Sequence, residues 1–122
     1  DVADAITEDV AVVMLTHVDY RTGRLHDMDA ITRAAHKAGA VMIWDLAHSA
    51  GAVPVDMAAS RAEFAVGCTY KYLNGGPGAP AFIYARPDLV ETVSPALAGW
   101  MALTNCCVVV DWDGMVLLGM TL

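Results

Sequence analysis

Residues 40–48 read AVMIWDLAH, an apolar run of strand length that ends at an acid, Asp45, with His48 three residues later. An uninterrupted apolar run is typical of a strand that is covered on both faces, as in a parallel sheet. Residues 10–16, VAVVMLT, have the same character and end at Thr16. The two runs therefore predict two buried strands.

The segment between these runs carries a helical pattern. Asp27 is a residue type that caps helices, and Gly39 is a residue type that ends them. Between them, apolar residues recur at helical spacing, at Met28, Ile31, Ala34, Ala35 and Ala38. A strand, a helix and a strand in succession favour an α/β architecture.

Further elements are predicted downstream. Residues 63–68, EFAVGC, and residues 79–85, APAFIYA, indicate a third and a fourth strand, and residues 87–90 can start a short helix. Residues 108–122 are apolar and broken by glycine, and their pattern assigns them to no element. We expect an α/β fold with a mainly parallel sheet flanked by helices.

The composition limits the classes of function. The chain has 122 residues, of which 57 % are hydrophobic, so we expect one modest domain or a piece of a larger body. Because it starts at Asp1 and not at a methionine, we expect a fragment or a processed product. A net charge of −7 without any cluster of Lys or Arg argues against nucleic acid or an anionic membrane as the main partner.

The sequence shows no pattern of membrane insertion or secretion. It contains no apolar run of about 18 residues and opens on no charged-then-apolar leader. Its cysteines, Cys68, Cys106 and Cys107, are odd in number and include an adjacent pair, which is not the pattern of a disulfide framework. We therefore expect a reducing compartment, the cytoplasm.

Polar side chains stand at the ends of the predicted strands. Thr16 and Asp45 end the first two strands, and Tyr70 and Lys71 follow the third. Ligands of open α/β sheets bind beyond the carboxyl ends of the strands. A lysine beside a strand-end acid suits a covalent aldehyde cofactor, because the amine can form a Schiff base and the acid can keep a ring nitrogen protonated.

Each of these residues also has a plainer interpretation. Lys71 fits an ordinary surface lysine, and Asp45 fits a turn cap. Thr16 fits a strand-end cap, His48 a simple loop histidine, and Tyr70 a packing residue. From the residues alone, these alternatives stay open.

Other candidate sites carry weaker patterns. A metal site at Asp45 and His48 lacks a further histidine or cysteine at ligand spacing, and Cys68 fits a small buried residue better than a nucleophile. The glycines within residues 75–78 are a weak phosphate motif, and we interpret them as letting the backbone approach a neighbouring subunit or the lysine loop. Three histidines show no functional pattern: His17, His26 and His36.

Four motifs follow one another along the chain: THVDYRTG at residues 16–23, WDLAHSAG at 44–51, YKYLNGGPG at 70–78 and LAGWM at 97–101. In this order they resemble the kynureninase family, which consists of pyridoxal-phosphate enzymes of the fold-type-I, aspartate aminotransferase-like superfamily. The resemblance covers roughly residues 10–101. The ordered combination is far more specific than a lone lysine motif.

The resemblance implies a role for each candidate residue. Lys71 would hold pyridoxal 5'-phosphate as a Schiff base and remove the substrate α-proton. Asp45 would pair with the pyridine nitrogen, and Tyr70 would bind the phosphate and assist a proton transfer. The further cofactor contacts would be His48, Thr16 and Trp100, the last one at the phosphate, from the same or a partner subunit. The implied reaction is hydrolysis of L-kynurenine, or its 3-hydroxy form, to an anthranilate and L-alanine in tryptophan catabolism and NAD biosynthesis, by a cytoplasmic homodimer.

The same resemblance sets the expected extent of the domain. Residues 1–101 would be the central part of the cofactor-binding large domain, and residues 102–122 a diverged tail. The family's upstream portion and its C-terminal small domain have no counterpart in the chain, so we expect little turnover from the chain alone. Two alternatives stay open: a non-catalytic truncated remnant, and a related enzyme such as a cysteine desulfurase, although Tyr70 stands where those enzymes commonly have histidine.

Overall fold

The computed structural model describes residues 2–90 and Thr92, and it describes the backbone alone at 108–109 and 115–117. The strands are β1 (Val12–Thr16), β2 (Val41–Asp45), β3 (Phe64–Cys68), β4 (Ala81–Ala85), β5 (Val108–Val109) and β6 (Met115–Leu117). The helices are α1 (Met28–Lys37) and α2 (Met57–Ser60), with short 3-10 turns at Ala3–Ala5 and Pro87–Leu89. Within this described part, no helix is long and apolar enough to span a membrane.

The strands form one mixed sheet in the order β1-β2-β3-β4-β6-β5. The pairs β1–β2 and β2–β3 are parallel, whereas β4 runs antiparallel to β3. The connection between β3 and β4, residues 69–80, contains no helix, as is usual where the following strand pairs antiparallel. The predicted α/β class with a mainly parallel sheet is confirmed for the first three strands, and the division predicted at residue 101 stays a prediction.

Helix α1 connects the first two parallel strands and covers one face of the sheet. Asp27 caps it, since its Oδ1 accepts the amide of Ala30 at 2.9 Å, and Gly39 follows its end with a φ of +80°. On the buried side of the helix, the hydroxyl of Thr32 accepts the indole N–H of Trp44 at 3.0 Å. The fully buried Trp44 therefore has its one polar atom satisfied, and it joins the helix to β2.

Strand β1 differs from its prediction in two respects. It begins at Val12 and not at residue 10, and it is not covered on both faces. Val12 and Met14 are 52 % and 61 % exposed, whereas Val13 and Leu15 pack against the core. The prediction of two covered faces was wrong for the described residues, because both described helices pack on the face that carries Val13 and Leu15, and no described element covers Val12 and Met14.

Glu63 binds several polar groups at the end of the sheet where β3 begins. Its carboxylate accepts the amide of Met42 at 3.0 Å and lies 3.0 Å from both His36 Nε2 and Arg86 Nη1. Arg86 also pairs with the exposed Asp88 at 2.6 Å. Burial alone would raise the pKa of Glu63, but the hydrogen bonds from Met42 and His36 outweigh it, so the pKa lies below its usual value.

We expect Glu63→Gln to lower the free energy of unfolding by about 1.5–3 kcal/mol at neutral pH, the usual worth of hydrogen bonds to a charged group. Because the native pKa of Glu63 is lowered, its contribution is complete above the pKa of the unfolded chain and disappears as pH falls through the native value. Urea unfolding of both forms between about pH 7 and about pH 3 measures this. Glu8→Gln removes an exposed carboxylate and serves as the control; equal losses in the two variants would contradict the prediction.

Candidate active site

Thr16 and Asp45 lie side by side at the carboxyl edge of the parallel strands. They are register partners at the ends of β1 and β2, and Asp45 is in turn opposite Val66 of β3. The loop that carries Lys71 leaves β3 at the same edge, just beyond Cys68. The topology therefore brings together the three positions that the sequence singled out.

Asp45 uses one carboxylate oxygen to shape its own turn. Oδ1 accepts the amide of Ala47 at 2.8 Å, which is the turn-cap role of the plainer interpretation. No described residue donates a hydrogen bond to Oδ2. Thr16 is similar, since its hydroxyl donates to the carbonyl of Val18 at 2.8 Å and keeps lone pairs for a further donor. Both residues thus combine a local structural bond with a remaining acceptor.

Lys71 is held at this edge by His48. Its Nζ lies 2.8 Å from Nε2 of His48, and both side chains are partly buried. The same Nζ lies 5.5 Å from the ring centroid of Tyr70. This geometry disfavours the interpretation of Lys71 as an ordinary surface lysine, because a surface amine would extend into water. The roles predicted for Lys71, His48 and Tyr70 toward a cofactor stay predictions.

Tyr20 is an aromatic residue of the site that the sequence reasoning did not identify. Its ring stacks on His48 with centroids 5.8 Å apart and planes inclined by 26°. Although it lies within the motif at residues 16–23, neither charge nor spacing distinguished it from a loop residue. Tyr20 is 75 % exposed, so it stands at the rim of the site with one face free.

The glycine-rich residues 75–78 follow Lys71, and a backbone hydrogen bond brings them back to the start of the loop that carries it. The amide of Gly75 donates to the carbonyl of Thr69 at 2.8 Å, and a Cβ at Gly75 would lie 2.8 Å from the Cβ of Ala79. Thr69 Oγ1 also donates to the carbonyl of Pro80 at 2.6 Å. A Cβ at Gly75 would also lie 3.0 Å from the carbonyl oxygen of Thr69, so at Gly75 the backbone approaches the start of the lysine loop, one of the two approaches that the sequence allowed.

A model of the class-V aminotransferase family matches residues 1–110. The chain belongs to this family. Kynureninases from Pseudomonas fluorescens and from Burkholderia mallei are 58 % and 55 % identical to it over 100 residues. This match covers 82 % of the chain and 24 % of each relative, so the chain spans about a quarter of the length of the curated relatives it matches.

Solved structures confirm the fold of this class-V chain. A cysteine desulfurase from Escherichia coli superimposes with a TM-score of 0.68 and 27 % identity, over 93 % of this chain and 27 % of that one. A ureidoglycine-glyoxylate aminotransferase from Bacillus subtilis gives a TM-score of 0.64 over 84 % of this chain and 28 % of that one. Its 23 % identity shows a shared fold alone.

The donor set at the strand ends fits the pyridoxal phosphate on which class-V aminotransferases and kynureninases depend. A lysine amine can hold the aldehyde, and the Oδ2 of Asp45, which no described residue donates to, suits a protonated ring nitrogen. Trp100, the predicted phosphate contact, lies outside the described residues. Among the residues that are described, no group of three metal-ligating side chains forms a metal site.

His17 is a second residue to which the sequence reasoning gave no importance. It is only 5 % exposed, its ring packs edge-on against Trp44 at 5.8 Å, and its Nδ1 has no hydrogen-bond partner. Burial lowers the pKa of His17, and the nearby His26 lowers it further. Burial therefore favours the neutral form of the ring, and the backbone amide of His17 donates to the carbonyl of Asp45 at 2.9 Å.

We expect His17 to make the chain less stable as pH falls below about 6.5, the ordinary histidine pKa. As pH falls, the unfolded chain binds a proton at His17 before the folded chain does. The contribution of His17 to stability is therefore complete above the ordinary histidine pKa, and it is lost as pH falls toward the lowered native pKa. Urea unfolding at about pH 7 and about pH 5 measures the difference. His17→Leu should flatten it, whereas His26→Gln should retain most of it; an unchanged slope in His17→Leu would contradict the assignment.

Proposed function

We propose that this chain forms the pyridoxal-phosphate site of a kynureninase-type hydrolase. One observation supports this most strongly: Nζ of Lys71 lies 2.8 Å from His48, at the strand edge that also carries Asp45 and Thr16. The 58 % identity to the Pseudomonas fluorescens kynureninase supports that enzyme type over more distant members of the family. The substrate would be a kynurenine-type amino acid, which the parent enzyme would hydrolyse to an anthranilate and L-alanine.

The residues of the site would divide cofactor binding and proton transfer among them. The amine of Lys71 would bind the aldehyde of the cofactor, and once released by the substrate it would accept the proton of the substrate α-carbon at Nζ. His48 would hold that Nζ in place through its Nε2. Tyr70, 51 % exposed beside Lys71, would offer its hydroxyl to the phosphate or to a proton in transfer.

Asp45 would provide the electrostatic part of the reaction. When bound, the cofactor supplies an electron-withdrawing ring that stabilises negative charge next to the substrate nitrogen. The carboxylate of Asp45 would keep the ring nitrogen protonated through Oδ2, while Oδ1 stays bound to Ala47. Thr16, the register partner of Asp45, would contact the ring through its hydroxyl oxygen.

The wider setting belongs to the same proposal. A cytoplasmic homodimer acting in tryptophan catabolism toward NAD is what kynureninase resemblance implies, with Trp100 as an additional phosphate contact. The net charge of −7 and the absence of a basic cluster in the sequence favour a small-molecule substrate over nucleic acid or membrane. Since the chain spans about a quarter of its relatives, turnover by the chain alone is expected to be small or absent.

Two alternatives differ from this proposal in observable ways. A non-catalytic remnant would hold no cofactor at Lys71. A cysteine desulfurase is supported by the shared fold, but its identity to this chain is 27 %, against 58 % for a kynureninase. Tyr70, at the position before the lysine where desulfurases commonly have histidine, also favours the kynureninase type.

Capture of pyridoxal phosphate tests the proposal, because the chain contains only two lysines, Lys71 and Lys37. Incubation with the cofactor, reduction with borohydride and mass spectrometry of the digest should place the label on Lys71 and leave Lys37 nearly unlabelled. Lys71→Ala should abolish the selective label. Asp45→Asn should weaken cofactor binding on the order of tenfold or more, since a hydrogen bond to a charged group is worth about 1.5–3 kcal/mol.

The two lysines also define the result that would refute the proposal. Lys37 ends helix α1 shortly before β2 begins, at the opposite end of that strand from Asp45, so its label measures non-specific reaction. Equal labelling of Lys37 and Lys71, or no label on either, would favour the non-catalytic remnant. Selective label on Lys71 together with sulfur release from cysteine would favour the desulfurase.

A further inference from the structure

Two adjacent segments carry the amine and the imidazole of the site. Lys71 lies in the loop after β3, and His48 lies in the turns after β2, where the amide of Ala50 donates to the carbonyl of Leu46 at 2.9 Å. The hydrogen bond between the two side chains is a weak constraint on the loops, because a lysine side chain has many rotamers. A fixed separation of the segments therefore needs a contact between their backbones.

Gly51 provides this contact. A Cβ on Gly51 would lie 2.6 Å from the carbonyl oxygen of Tyr72, 2.8 Å from its carbonyl carbon and 3.1 Å from Cδ2 of Leu73. Its φ of +83° also lies in the left-handed region that favours glycine. Tyr72 directly follows Lys71, so the bare face of Gly51 touches the backbone next to the lysine.

We propose that Gly51 is a positioning residue that sets the distance between the lysine loop and the His48 turns, and thereby holds Nζ of Lys71 at the site. A methyl group would have to push the Tyr72 carbonyl back by roughly 1 Å to reach ordinary van der Waals distance. A backbone carbonyl cannot turn aside as the tip of a side chain can, so the displacement would move the loop. A misplacement of about 1 Å can reduce a rate on the order of 100-fold.

This inference rests on the proposed function, since Lys71 needs accurate placement only if it holds the cofactor. In Gly51→Ala, the effect of the steric contact must also be distinguished from the cost of placing an alanine at a left-handed φ. Gly39 allows this separation, because its φ is +80° and a Cβ there would meet nothing within 4 Å. It lies at the opposite end of β2 from Asp45, so Gly39→Ala is a matched control for Gly51→Ala.

The contact between Lys71 and His48 can be measured without any cofactor. In the otherwise unchanged chain, Lys71→Met should shift the ring resonances of His48 in a two-dimensional NMR spectrum, because a nitrogen 2.8 Å away is removed. In the Gly51→Ala background the same substitution should leave these resonances unshifted. In the Gly39→Ala background the shift should persist.

Cofactor capture provides the second readout. The rate of labelling at Lys71 by pyridoxal phosphate and borohydride, measured relative to Lys37, should fall on the order of tenfold or more in Gly51→Ala. It should stay within about twofold of the unchanged chain in Gly39→Ala, which carries the same conformational cost without the contact.

Three results would overturn the proposal. An undiminished His48 shift in the Gly51→Ala background, or equal loss of capture in Gly51→Ala and Gly39→Ala, would show that the contact does not position the lysine. Unfolding of Gly51→Ala alone, seen by circular dichroism, would make Gly51 a folding residue and not a positioning one. If the unchanged chain captures no cofactor, the proposed function fails, and the NMR comparison still decides the role of Gly51.

Discussion

The parallel register of β1, β2 and β3 is the constraint on which the rest of the structure depends. It places Thr16 opposite Asp45 and Trp44 opposite Leu15, so that the acid points to one face and the indole to the other. A slip of one residue would exchange the two faces, which would bury a carboxylate and expose a tryptophan. The hydrogen bond from Trp44 to Thr32 of α1 opposes such a slip. The buried indole thus fixes the position of the acid.

The carboxylates at the two ends of β2 differ in how many of their oxygens have hydrogen-bond partners. At its beginning, the amide of Met42 is bound by Glu63, whose remaining capacity is taken by His36 and Arg86. At its end, Asp45 satisfies one oxygen with Ala47, and no described residue donates to the other. A polar group left with spare capacity is costly unless it is solvated or binds a partner. Asp45 therefore keeps an oxygen that can accept a further donor, whereas Glu63 at the opposite end of the strand already has three described partners.

The sequence was sufficient for features whose physical cause is local. The apolar periodicity of α1, the cap at Asp27 and the left-handed stop at Gly39 are all determined within a few residues, and each was predicted correctly. Strand ends are local features as well, since an apolar run stops where a polar residue begins. Parallel pairing then brings Thr16 and Asp45 together without further information. The assignment to a cofactor family came from the motifs and was confirmed by the family match.

The features that sequence reasoning missed depend on partners far away in the chain. The exposure of Val12 and Met14 depends on which face of the sheet the helices cover, and a run of apolar letters carries no such information. In the sequence, Glu63 is only a polar residue at the start of a strand, because its partners Met42 and His36 belong to other elements. The sequence likewise gives no sign that His17 is buried, because the ring that it packs against is that of Trp44 in β2. In each case the decisive contact joins segments more than 20 residues apart.

The shared fold does not by itself select the reaction. A cysteine desulfurase from Escherichia coli and a ureidoglycine-glyoxylate aminotransferase from Bacillus subtilis both share the fold of this chain, yet their names give two different reactions. The sheet supplies only an edge at which Asp45 and the lysine loop meet. The side chains and loop contacts added there are what can differ between such enzymes, and in this chain they include Tyr70 before the lysine, Tyr20 on His48 and the close approach at Gly51. The identity of the loops therefore carries more functional information than the identity of the strands.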